Sequence, residues 1–340
     1  MRTVLAIPSL PRMTGGIAVL YQIADRLREC GHDVALTGGD AAPGLAAQCA
    51  RGVAVLPWNE VRGNIGPSVL RADDIFLIPE GWPNMMAPAL AAGAHIVVYV
   101  QNWAYLYSAL PQGAFWRDLP VRFLAVSHPV AQFMAETEKL SVRAVVRPLI
   151  DRDIFHPAQA AAGQGKVVRI GWMPRKNKAL AEQVRQIVSA APETGVRLQW
   201  LEIHAMSQEQ VAETLASCHI YLATGFPEGF ALPPLEAMAS GCLVVGFSGF
   251  GGWDYMRNAD SSGYAPRLPL RPVPWGGNGL FASDGDVVET AHQLRNAIRM
   301  VRDDTEEYRT IRKNALLAAS AYTIEAQREE VRAAWDLLSL

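Results

Sequence analysis

The chain has 340 residues, half of them hydrophobic, with 31 Lys and Arg set against 33 Asp and Glu. Such a length suggests two domains rather than one core, and the near balance of charge provides no basic field to attract nucleic acid. There is no long uncharged apolar run, so a globular α/β protein without stable membrane insertion is expected.

In chain order, Thr3 to Ile7 is a short apolar run of the kind a buried parallel strand needs, and it is far too short for a signal peptide. Gly15 and Gly16 then open a helix in which Ile17, Leu20, Ile23, Ala24 and Leu27 recur at helical spacing, and His32 to Thr37 is the next strand. The start is therefore a βαβ unit. A dinucleotide site is the obvious rival, with Asp40 as its ribose acid, but the loop from Pro8 to Gly16 is long and proline-rich and lacks G-x-G-x-x-G. The glycine pair either lets a backbone approach a ligand or merely begins the helix.

Val53 to Leu56, Asp74 to Pro79, His95 to Gln101, Arg122 to Val126 and Arg143 to Val146 read as further strands with helical stretches between. Ligands of open α/β sheets bind beyond the carboxyl ends of the strands. The loops there hold Glu80, Trp82, Gln101, Asn102, Trp103, Tyr105, Tyr107, Phe115 and Trp116, a candidate second-substrate site. Aromatic side chains at such a place pack on a sugar ring or an apolar group, or fill the core. Residues 156–165, rich in alanine and glycine, read as a linker between domains at 1–155 and 166–322.

The second half repeats the alternation. Lys166 to Trp172 is a strand, and Arg175, Lys176 and Lys178 cluster between it and a helix, where they suit phosphate oxygens or form a solvated basic turn. Val196 to Leu201, Ile220 to Ala223 and Leu243 to Phe247 are further strands, and a helix covers Ser207 to Cys218. Gly249-Phe-Gly-Gly252 is a turn, residues 259–277 form a proline-rich excursion, and Asn278 to Ala282 is a short strand or turn. Helical runs over Asp284 to Arg302, Thr305 to Ala319 and Thr323 to Leu338 finish the chain. Cys30, Cys49, Cys218 and Cys242 have neither CxxC nor metal spacing and read as reduced thiols of a cytoplasmic protein.

The most informative stretch is Glu228-Gly-Phe-Ala-Leu-Pro-Pro-Leu-Glu236. Proline suits the first positions of a helix, so Pro233 or Pro234 marks a helix start. The free N–H groups there and the helix dipole favour a phosphate, and Gly229 lets backbone come close to it. Glu228 and Glu236 then flank that anion as acceptors for hydroxyl groups. Hydroxyls beside a diphosphate describe a nucleotide sugar. The plainer reading is that a Glu early in a helix only complements the dipole.

The run Tyr221 to Gly241 resembles the E-x7-E signature of glycosyltransferase family 4, enzymes of the GT-B fold. The likeness extends to Ser207 to Leu215, to Asn278-Gly-Leu-Phe-Ala-Ser-Asp-Gly-Asp286 and to the final helix after Tyr322. It covers residues 166–340 and is only architectural before them. The resemblance implies two Rossmann-like domains with parallel sheets facing across a cleft, and a last helix over 323–340 that crosses back to the N-terminal domain. It implies retaining, metal-independent transfer of a sugar from a nucleotide diphosphate sugar to a hydroxyl acceptor, with no cofactor. By the same resemblance Glu228, Lys176 and Arg175 serve catalysis. The donor would be held by Glu228, Gly229, Phe230, Ala231, Leu232, Glu236, Arg175 and Lys176, with Gly15 and Gly16, and the acceptor by Glu80, Trp82, Gln101, Asn102 and Trp103. Pro174-Arg175-Lys176-Asn177 is similar to the family's P-x-K-G, whereas Trp172 stands where the family usually has arginine and Gln101 near where many members have histidine. Two other functions fit the same fold: a sugar-nucleotide epimerase or hydrolase, and a non-catalytic nucleotide-sugar-binding protein.

Overall fold

The computed structural model describes residues 1–10, 14–38, 52–158, 167–191, 193–261 and 263–338. Asp40 and Cys49, singled out above, lie outside them. The chain forms two compact units, residues 1–149 with 324–340 and residues 150–323. The division falls at Leu149 and Ile150, ahead of the linker expected at 156–165, because the intervening segment is built into the second unit. The Ile150 N–H donates to the Tyr322 carbonyl at 2.9 Å, and Phe155 is buried. Most of the expected linker, from 159 on, lies outside the described residues.

The first unit carries a seven-stranded sheet of order β3-β2-β1-β4-β5-β6-β7, with β1 at Arg2–Ile7, β2 at Asp33–Gly38, β3 at Ala54–Pro57, β4 at Ile75–Pro79, β5 at His95–Val100, β6 at Val121–Ala125 and β7 at Val142–Val145. Every pairing is parallel. Parallel strands are covered on both faces, which is why β4 reads Ile-Phe-Leu-Ile-Pro with every residue buried. The order reverses between β1 and β4, so the loops after these two strands part there.

The helix Ile324–Leu338 belongs to this unit. Trp335 is fully buried and donates its indole N–H to Thr3 Oγ1 at 2.8 Å, tying the last helix to β1. Along the same helix Gln327 donates to the Arg147 carbonyl at 2.8 Å, and Glu330 pairs with the Arg147 guanidinium at 2.6 Å.

The second unit carries a five-stranded parallel sheet of order β12-β11-β10-β8-β9, with β8 at Val167–Trp172, β9 at Arg197–Glu202, β10 at Ile220–Ala223, β11 at Leu243–Phe247 and β12 at Gly279–Ala282. Its core joins Val168, Ile170 and Trp172 from β8 to Leu222, Val245 and Leu280 and to Leu294 and Ile298 of the helix Val287–Arg302. Here the order turns at β8 and β10. The loops leaving these two strands, Met173 to Asn177 and Thr224 to Ala231, therefore flank the switch point, where doubly wound sheets place their ligands. Among the described residues no helix is long and apolar enough to cross a membrane.

Candidate active site

In the second unit the two loops at the switch point meet. The helix Leu232–Ala239 has Pro233 in its first turn, as its sequence demands, and starts from Ala231 in the left-handed conformation at φ 56° without a side-chain cap. Pro233 and Pro234 bring no N–H, so Leu232 supplies the N–H of the opening positions, and Ala231 has no side chain to serve it; this donor favours an anion. The basic loop arrives from β8. Lys176 Nζ lies 2.9 Å from Glu228 Oε2 and donates to the Pro227 carbonyl at 2.8 Å.

Asn177 builds the approach. It too is left-handed, at φ 56°, and starts the helix Lys178–Ala190. Its amide donates to the carbonyls of Thr224 at 2.9 Å and Phe226 at 3.0 Å, stitching the basic loop to the Glu228 loop. Asparagine tolerates this backbone region better than most residues, a signal present in the sequence but legible only with the loop partner known.

A pocket of about 430 Å³, measured out to its open mouth, lies between these loops; Arg175, Lys176, Glu228, Ala231, Pro233 and Pro234 are among its lining residues. Of the residues assigned to the donor, Arg175, Lys176, Glu228 and Ala231 share this pocket. Phe230 is buried instead, its ring 5.5 Å from Tyr255 and 5.4 Å from Tyr322, so only its backbone remains for a ligand. The Tyr255 hydroxyl donates to the Ala231 carbonyl at 2.6 Å and braces the left-handed turn from below. Glu236 is half-buried, and burial pushes its pKa from the usual 4.5 to about 7. Trp172 points into the core, which leaves Arg175 as the guanidinium lining the pocket.

The glycine turn after β11 closes the back of the Glu228 loop. A Cβ on Gly251 would run into the Gly229 carbonyl, and one on Gly249 would sit 2.8 Å from Glu228 Cβ. These glycines allow two backbone segments to touch; they need not touch a ligand.

In the first unit Glu80, at the end of β4, is buried and accepts the N–H groups of Gln101 at 3.0 Å and Asn102 at 2.8 Å. Its carboxylate is thus turned inward and orders the loop after β5. Gln101 donates to the Gly16 carbonyl at 2.8 Å, and its Oε1 lies 2.5 Å from where a Gly16 Cβ would stand. The second glycine of the pair is therefore used by Gln101. Asn102 Oδ1 accepts the Ala104 N–H at 3.1 Å, and Trp103 packs on Phe133 with centroids 5.3 Å apart. The structure brings Gly16, Glu80, Gln101 and Asn102 into one hydrogen-bonded group; Trp82 is half-buried in the loop just after it.

Burial also pushes the Glu80 pKa from the usual 4.5 to about 7, against the pull of the N–H groups of Gln101, Asn102 and Glu80 itself. Between these values the folded chain keeps a proton that the unfolded chain has lost, so this group lowers stability as pH rises from about 5 to 7, by on the order of 3 kcal/mol. Glu80→Gln should remove that slope. Chemical denaturation of both proteins from pH 5 to 8 checks it, and parallel pH profiles would refute it.

Residues 173–267 match the family model of glycosyl transferases group 1. The fold is GT-B. A glycosyltransferase from Rickettsia africae superposes with a TM-score of 0.68 at 14% identity, covering 99% of this chain and 98% of its own. HepE of Anabaena, whose crystal structure is a complex with UDP and glucose, gives 0.66 at 16% identity over 99% of this chain and 100% of its own. In sequence, an alpha-1,6-glucosyltransferase of Actinobacillus pleuropneumoniae serotype 7 is 24% identical over 186 residues, which is 53% of this chain and 54% of that protein. The chain thus spans about half the length of this curated relative. The matched segment 173–267 holds Lys176, Glu228 and Glu236, and the GT-B fold accounts for both parallel sheets.

Proposed function

We propose that the chain is a retaining glycosyltransferase, moving a sugar from a nucleoside diphosphate sugar to a hydroxyl acceptor without a metal ion. The observation that carries this reading is the juxtaposition of the Lys176 ammonium and the Glu228 carboxylate, 2.9 Å apart, beside an uncapped helix start at a sheet switch point. A cation and N–H groups suit a diphosphate; a carboxylate beside them suits sugar hydroxyls. The group 1 match over these residues and the glucosyltransferase relative support the same chemistry.

In this reading the donor diphosphate lies against Arg175, Lys176 and the N–H groups of Gly229 to Leu232. Glu228 accepts from hydroxyls of the transferred sugar and Glu236 from the ribose, with the Gly15–Gly16 turn assigned to the donor by resemblance. The acceptor is assigned to the loops bearing Glu80, Trp82, Gln101, Asn102 and Trp103. Since the Glu80 carboxylate is occupied by backbone, its part is to hold the Gln101–Asn102 turn in shape. The acceptor oxygen bonds to the anomeric carbon on the face the diphosphate leaves, so configuration is kept. As the sugar–phosphate C–O bond breaks, its electron pair goes to the diphosphate, which also takes the hydroxyl proton. Fixed cations and N–H donors stabilise that developing charge, commonly the largest catalytic contribution.

The test is release of nucleoside diphosphate from UDP-, ADP- and GDP-glucose with a panel of sugar and lipid-linked acceptors, with and without EDTA. One nucleotide should be turned over, the product should keep the donor's anomeric configuration by NMR, and EDTA should leave the rate unchanged. An inverted product would refute retention, loss of activity in EDTA would refute metal independence, and hydrolysis alone with every acceptor would favour the hydrolase.

A further inference from the structure

Asp284, just after β12, takes no part in the donor contacts proposed above, yet it is joined to them through backbone. Its Oδ1 accepts the Gly249 N–H at 2.8 Å, and the backbone of Ser248 and Phe250 and the Ser248 hydroxyl lie close enough to favour its charge. The Phe250 N–H is shared with Ser248 Oγ at 3.1 Å. This turn is held open at φ +65° for Gly249 and φ +73° for Phe250, a conformation that non-glycine residues rarely adopt. Successive N–H groups converging in this way form an anion-binding nest. Here the anion is a side chain of the protein itself.

The same turn grips Glu228. The Glu228 N–H donates to the Gly249 carbonyl at 2.9 Å, and the Gly251 N–H donates to the Glu228 carbonyl at 3.1 Å. Both backbone groups of Glu228 are therefore held by residues that Asp284 gathers or that directly follow them. On the other side Lys176 fixes the Glu228 carboxylate. We propose that Asp284 is a positioning residue for Glu228: it fixes the Ser248–Phe250 turn, the turn fixes the Glu228 backbone, and the reach of the Glu228 carboxylate toward the donor sugar is set thereby. This rests on the donor reading above and adds to it a residue that touches no substrate.

Chemistry makes the carboxylate hard to replace. An ionised carboxylate only accepts, with room for several N–H donors, whereas an asparagine amide offers one oxygen and turns an NH₂ toward the remaining donors. Alanine offers nothing and leaves the Gly249 N–H without that acceptor, the costly outcome. Burial pushes the Asp284 pKa from the usual 3.8 to about 6 even with these donors in place, so the charge is kept at some expense to the fold.

Two measurements on the full chain decide the matter. In hydrogen–deuterium exchange without ligand, Asp284→Ala should speed exchange at least tenfold in the 247–252 turn and also in the 226–231 loop, with Asp284→Asn in between. In kinetics with the sugar nucleotide that the wild type turns over, Asp284→Ala should raise the donor KM and lower kcat/KM at least tenfold. The acceptor KM should stay within twofold, and Asp284→Asn should recover part of the loss. Exchange that rises only in 247–252, or a fall in kcat that matches the unfolded fraction with donor KM unchanged, would overturn the proposal. If Asp284→Ala does not fold, the Asn variant carries both measurements. If the wild type releases no nucleoside diphosphate from any sugar nucleotide, the donor reading fails, while the exchange experiment still decides whether Asp284 holds Glu228.

Discussion

Lys176→Ala is expected to lower kcat/KM for sugar transfer by about 10²–10³-fold, the range observed when one preorganised stabiliser of a developing negative charge is removed. The geometry gives Lys176 two tasks. It stands 2.9 Å from Glu228 Oε2 and 2.8 Å from the Pro227 carbonyl, so it shapes the carboxylate loop and supplies a charge on the pocket wall. Its loss leaves Glu228 without the cation that neutralises it, and a bare carboxylate repels the incoming diphosphate. Binding of the nucleoside diphosphate should therefore weaken along with turnover. Lys176→Arg should recover little, because the planar fork cannot reach one carbonyl and one carboxylate as a compact ammonium does. Glu228→Gln should behave differently, keeping affinity for the free nucleoside diphosphate while losing turnover of the sugar nucleotide. Calorimetry with the free nucleotide and steady-state release assays separate the two. Turnover within threefold of wild type in both variants would sink the site.

The second large effect is on stability. Trp335→Ala should destabilise the first unit by about 3–5 kcal/mol, the usual cost of emptying a buried tryptophan site. Trp335 has no exposed surface, and its indole N–H is the partner of Thr3 Oγ1 on β1. Emptying the site leaves that hydroxyl without its donor as well as opening a cavity. For a unit of this size the loss lowers the melting transition by about 6–20 °C. Calorimetry of the wild type and the variant checks this, and a transition lowered by less than about 3 °C would refute it.

Central strands such as β4, β5 and β11 were legible because buried parallel strands need short apolar runs. The helix start at Leu232 was legible from Pro233 and Pro234. What could not be read was the direction in which a side chain spends its polar groups. Glu80 stands at a strand's carboxyl end, as a ligand-binding acid would, but its partners are the two N–H groups of a loop about twenty residues on. Phe230 sits inside the most informative motif, yet its ring is part of an aromatic cluster with Tyr255 and Tyr322, residues remote in sequence. Asn177 and Asp284 act by bonding to main chain, which carries no residue type, so no spacing betrays them. Gln101 and Gly16 are complementary only once the loop after β5 is known to reach across β4 to the helix start after β1.

The helix Ile324–Leu338 is the last element of the chain but packs on the first strand. During synthesis the seven strands of the first unit emerge long before the piece that covers them, and residues 150–323 must be translated in between. At about 5–20 residues per second that wait is on the order of ten seconds or more. The unit made first is therefore the unit completed last, and while the ribosome finishes the second sheet, the apolar groove awaiting Trp335 stands uncovered.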